Sequence, residues 1–152
     1  MHYSHPDTEL VQQPAGYWTW AAAHAILGNI HAALATVGLT QPQWWVLNQL
    51  ADPDGTRTRR ELTSLLHGYQ NPGDRPIGEA VDILLALGFA TETDSGTLGL
   101  TPAGRRHFER AGKVMDQLRE QRHAGIPDEQ YVQTLKVLQR FTHNTGGHAW
   151  HH

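Results

Sequence analysis

The stretch from Thr58 to Gly104 constrains the chain most, because its hydrophobic pattern changes period repeatedly and in a definite order. "TRRELTSLLHG" opens with a charged turn and sets Leu62, Leu65 and Leu66 at helical spacing. "RPIGEAVDILLALGFA" follows, with Pro76 in its first turn, where a missing N–H costs little. Ile77, Ala80, Val81, Leu84 and Leu87 make one apolar helical stripe, and Gly88 is placed to end it. "FATETDSGTLGLT" then alternates about Asp94-Ser95-Gly96, which suits a two-stranded hairpin. "TPAGRRHFERAGKVMDQL" starts a long helix, with Thr101 as N-cap and Pro102 at the first helical position.

Helix, turn, helix, hairpin, helix is the order of a winged helix. Helices flank it on both sides. "PAGYWTWAAAHAILGNIHAALATVG" reads as a helix over 14–37 closed by Gly38, and Thr40 caps the next, "QPQWWVLNQLA". The long helix from Pro102 carries Phe108, Ala111, Val114, Met115 and Leu118 on one stripe and ends before Gly125-Ile126-Pro127. A last helix follows, with Asp128 and Glu129 in its first turn and Tyr131, Leu135, Leu138 and Phe141 along one side. These flanking helices hold more apolar surface than the small winged helix can cover, and a symmetric homodimer would bury the excess. The expected class is therefore mainly α (α+β). One domain spans 1–152: residues 14–37 and 102–143 are dimerisation helices, 40–101 the winged helix-turn-helix, 1–13 a loosely ordered leader and 144–152 a flexible histidine-rich tail.

Composition narrows the chemistry. Absence of cysteine excludes disulfides and thiolate metal sites, and no apolar run is long enough for a membrane span, which leads to the expectation of a cytoplasmic protein. The formal charge is −3, yet no Lys or Arg precedes Arg57, so a phosphate-binding surface can only form in the middle of the chain. His148, His151 and His152 lie on a Gly-Gly tail that lacks the fixed geometry of a structural metal site, and no metal or cofactor is expected.

"LTQPQWWVLNQLA", "ELTSLL", "AVDILLALGFA" and above all "LTPAGRR" directly after the hairpin resemble the corresponding segments of the MarR family of transcriptional regulators, across residues 13–143. The resemblance implies a homodimer, two recognition helices (75–87) in successive major grooves of double-stranded DNA, and a small aromatic ligand held between the dimerisation region and the winged helix. The basic residues available for phosphate are Arg57, Arg59, Arg60, Arg75, Arg105 and Arg106. Residues expected to meet a ligand are Tyr17, Trp18, Trp20, His24, His31, Trp44 and Trp45, since Trp and Tyr combine flat apolar area with one polar handle. The same residues on the first long helix also suit a dimer interface. His24 and His31 stand two turns apart, roughly 10 Å, too far to share one metal ion.

The sequence departs from the family pattern in three places. The turn "HGYQNPGD" is about four residues longer than usual, in the segment that sets the entry angle of the second helix. Glu79 stands where the family has a phosphate-binding Arg, with Asp82 near it. The wing is cut to Thr93–Thr97 and carries Asp94 at its tip in place of the Arg that would enter a minor groove. A second class of function follows from these departures: a scaffold retained for its pocket, as a small-molecule binder or as a cofactor-free enzyme in which His24 or His31 serves as general base. No catalytic triad or paired-carboxylate spacing supports a particular reaction.

Overall fold

The computed structural model describes residues 2–52, 55–70 and 75–148. A single turn of helix, α1 (Asp7–Leu10), lies within the expected leader and buries nothing. Then come α2 (Ala15–Ala35), α3 (Gln41–Ala51), β1 (Arg57–Thr58), α4 (Arg59–Leu66), α5 (Ile77–Ala86), β2 (Ala90–Glu92), β3 (Thr97–Leu100), α6 (Pro102–His123) and α7 (Asp128–Asn144). The three strands form one antiparallel sheet in the order β1-β3-β2, with Arg57 opposite Leu98 and Glu92 opposite Leu98 on its other side.

The boundaries follow local chemistry. Thr40 and Thr58 each close a capping box with the residue three further on, Gln43 and Glu61, so the backbone donors at both helix starts are satisfied reciprocally. The Gly38 and Gly88 backbones are left-handed (φ 71° and 69°), and each is followed by the paired bonds of a Schellman motif: Leu39 N to Leu34 O and Phe89 N to Leu84 O, 3.0 and 2.9 Å. The residues those bonds bring together, Leu34 with Leu39 and Leu84 with Phe89, belong to or pack on the core. Thr101 Oγ1 donates to Gly88 O at 2.6 Å and accepts from Gly104 N at 3.0 Å, joining the end of α5 to the start of α6. Gly104 sits so close to Phe89 that an added Cβ would overlap the Phe89 carbonyl.

Leu34, Val46, Leu47, Leu62, Ile77, Val81, Leu84 and Leu98 form the centre of one core shared by α2, α3, α4, α5 and β3. Two expectations are corrected here. Leu87, expected on the apolar stripe of α5, is 51% exposed: it stands at the C-cap, one residue beyond the end of α5, and the chain turns away at Gly88 directly after it. Pro76 caps α5 from an extended backbone (φ −56°, ψ 145°), one residue before the first turn in which it was expected. The lengthened turn begins as a 3-10 turn at His67–Tyr69, and Gln70 Nε2 bridges to Arg75 O at 3.1 Å; the rest of that turn, 71–74, lies outside the described residues.

α7 differs from the rest. None of its described residues is buried, and Tyr131, Val132, Leu135, Val137, Leu138 and Phe141 are all exposed. The N-terminal half of α2 also exposes Tyr17, Trp18 and Trp20. No described helix is long and apolar enough to cross a membrane.

Candidate functional site

α2 runs across α6, and α3 packs on α2, α5 and α6, so α3 bridges the C-terminal half of α2 and α5. Between them lies an open cavity of about 600 Å³. One wall is His31, Ala35 and Leu39 with Thr40, Gln41 and Pro42; the opposite wall is Arg75, Glu79, Ala80 and Ile83. Its volume falls within the range of small-molecule sites, roughly 300–1,000 Å³. Polar groups converge on a largely apolar lining. His31 Nε2 lies 3.0 Å from Gln41 Oε1, and the Arg75 guanidinium donates to Glu79 one turn along. Gln43 is held by its capping bond to Thr40 N at 2.8 Å, which explains why a buried amide is tolerated at the cavity floor.

The solvent face of α5 is set by its buried one. With Ile77, Ala80, Val81 and Leu84 inward, Gly78, Asp82 and Ala86 recur four residues apart on the outside, and Glu79 lies beside them. Asp82 is engaged from α4: Arg59 Nη1 donates to Asp82 Oδ1 at 2.7 Å. The same guanidinium meets Glu92 on β2 with two parallel bonds, Nε to Oε1 and Nη2 to Oε2, both at 3.1 Å. Its pKa is raised above the ordinary guanidinium value, first by Glu92 and then by Asp82. One side chain at the start of α4 thus ties together the second helix of the helix-turn-helix and the base of the hairpin.

Of the six arginines expected to serve phosphate, the structure therefore commits Arg59 and Arg75 to carboxylates of the same face. Arg60 on α4 and Arg105 and Arg106 at the start of α6 are exposed and form no ion pair among the described residues. Arg57 lies on β1 and donates to Thr56 O. Among the residues expected to meet a ligand, His31 alone lines the cavity. Tyr17, Trp18, Trp20 and His24 form an exposed cluster near the start of α2, with Trp20 and His24 ring centres 4.6 Å apart and Tyr17 5.3 Å from Trp18. Trp44 and Trp45 diverge, as adjacent helical residues must. Trp44 stacks on Phe108 of α6 at 5.3 Å and Trp45 meets Tyr69 at 5.7 Å, both packed against the core.

Sequence reasoning missed His107. It is 7% exposed and stacks on Phe89 at 4.2 Å, where α6 meets the end of α5. Arg110 can only donate, so His107 Nδ1 accepts from it and the proton of the neutral ring stays on the buried Nε2. Burial, and then the Arg110 charge, lower the His107 pKa; the Val37 carbonyl pulls weakly the other way. No group of three or more potential metal ligands occurs among the described residues.

No family model matches the chain, and no curated protein matches it. Solved structures do. The DNA complex of the Mycobacterium tuberculosis MarR family protein Rv2887 superposes with a TM-score of 0.64 at 22% identity, covering 85% of this chain and 98% of that one. CouR from Rhodococcus jostii RHA1 bound to p-coumaroyl-CoA gives 0.67 at 23% identity over 86% and 92%. The reduced form of MarR from E. coli gives 0.63 at 17% identity over 85% and 93%. The chain has the MarR-type winged-helix fold. In that fold α4 and α5 correspond to the helix-turn-helix and β2 and β3 to the wing hairpin, and the cavity lies between α5 and the first long helix.

Proposed function

We propose that the chain is a homodimeric winged-helix transcriptional regulator of one domain, whose binding to double-stranded DNA is set by a small aromatic ligand in the cavity between α2, α3 and α5. The observation that carries this reading is the double duty of one helix edge. Arg75, Glu79 and Ile83 belong to the recognition helix or its entry, and they also form a wall of the cavity. A ligand held there against His31 and Leu39 pushes on α5 directly, and it regulates DNA binding to the extent that it binds the free and DNA-bound arrangements with different affinity. Phosphate contact falls to Arg60, Arg105 and Arg106, with Arg57 beside them. The uncovered faces of α7 and of the first half of α2 support a second copy as their partner.

The test is a mobility shift of the full chain on duplex DNA from upstream of its own gene, with and without small aromatic acids and phenols. Binding without ligand and release with it support the reading; no shift on any duplex at low salt refutes it. One observation favours the alternative, a ligand binder that has left DNA behind: Arg59 and Arg75 are both neutralised by carboxylates on the reading face. In that case, ligand quenching of Trp fluorescence persists while the mobility shift is absent. His31, which alone of the two candidate bases lines the cavity, would then be the group to test for turnover.

A further inference from the structure

We infer that Asp82 reads a cytosine in the major groove, with Arg59 as the residue that positions it. The inference rests on α5 being a recognition helix, as proposed above. On the outward face of α5 the residues four before and four after Asp82 are Gly78 and Ala86, and an added Cβ at Gly78 would touch nothing within 4 Å. That face can therefore approach a groove floor closely enough for a short side chain to reach a base edge. Asp82 is 64% exposed at its side chain and has one oxygen, Oδ1, bound to Arg59. Arg59 in turn is anchored by its bidentate bond to Glu92, whose side chain is only 28% exposed, so the carboxylate is held from two elements behind it. The guanidinium is shared between the two carboxylates, so the cluster keeps one net negative charge, and Asp82 Oδ2, with no hydrogen bond among the described residues, remains as an acceptor.

An acceptor without a donor selects among base edges. Cytosine offers its N4 amino group with no acceptor on the same base edge, whereas adenine sets N7 beside its amino group and would repel a carboxylate. Guanine and thymine present acceptors at the corresponding positions. An amide in place of the carboxylate would reverse the choice, because Asn pairs with adenine N6 and N7 together.

The experiment is selection from a randomised duplex pool by the full chain, comparing wild type with Asp82→Asn, Asp82→Ala and Arg59→Gln, each read by sequencing. Expected are a fixed cytosine in each half-site for wild type, preferred roughly tenfold over other bases, and adenine at that position for Asp82→Asn. Asp82→Ala should show no preference there, and Arg59→Gln a weakened preference for the same base. An unchanged base preference in Asp82→Asn overturns the inference, even if overall affinity rises, since Asp82 would then only repel phosphate. Enrichment of no duplex by wild type refutes the regulator reading itself and this inference with it; enrichment without a fixed cytosine refutes the inference alone.

Discussion

α5 and α7 are both amphipathic helices, and they meet opposite fates. α5 buries Ile77, Ala80, Val81 and Leu84 within its own subunit, whereas α7 has comparable apolar material and buries none of it. The hydrophobic pattern marks a face as apolar; it does not specify whether the same chain covers it. The winged-helix head is complete in one subunit, and the outer helices present a face that a single chain leaves in water.

Substitutions can break that contrast. The largest effect is expected in the head: Leu84→Ala, at a fully buried site, should cost about 2–5 kcal/mol, measured by chemical denaturation. Leu138→Asp on α7 should act differently. Thermal unfolding of a dilute sample should hardly change, while sedimentation should show loss of self-association; a stability loss as large as that of Leu84→Ala, at every concentration, would place α7 inside the subunit core instead. Thr58→Ala removes the cap of α4 and should cost roughly 1 kcal/mol, with the acid side of the stability profile altered as well. Glu61 has a lowered pKa because it accepts from Thr58 N–H and hydroxyl. Its contribution is thus present above the ordinary carboxylate value and fades as pH falls through the folded one.

The smallest effect concerns the joint between the two regions. The His107 pKa is lowered below its ordinary 6.5 by burial and by Arg110, so the unfolded chain binds this proton more readily than the folded one. Stability from this site is complete above about pH 6.5 and falls as pH drops towards the folded value. His107→Leu should flatten that part of the curve. If wild type and variant lose stability in parallel between pH 7 and 5, His107 is not the titrating group.

Much of the fold was legible because its signals are local. Thr40, Thr58, Gly88 and Thr101 mark helix ends through bonds that span five residues or fewer, and the capping partners Gln43 and Glu61 stand at a readable offset. The reading face was less legible. Arg59 meets Asp82 and Glu92 across 23 and 33 residues, and no periodicity announces such a pairing, so all six arginines looked equally available for phosphate. The lining of the cavity was hard to read for a related reason. Exposed Trp and Tyr on a helix suit a pocket and an interface equally well, and the cavity is lined by His31, Leu39 and the flank of α5, which come together only through the packing of α3 on both α2 and α5. His107 gave no signal at all, since a histidine within a charged helix looks solvated until Phe89 covers it.

The proposed function depends on two copies of the chain pairing, and sedimentation equilibrium of the full chain tests that most directly. The account predicts a species of twice the 17.0 kDa chain mass, persisting to low micromolar concentration and dissociated by Leu138→Asp. A single-chain mass across the whole concentration range would contradict it.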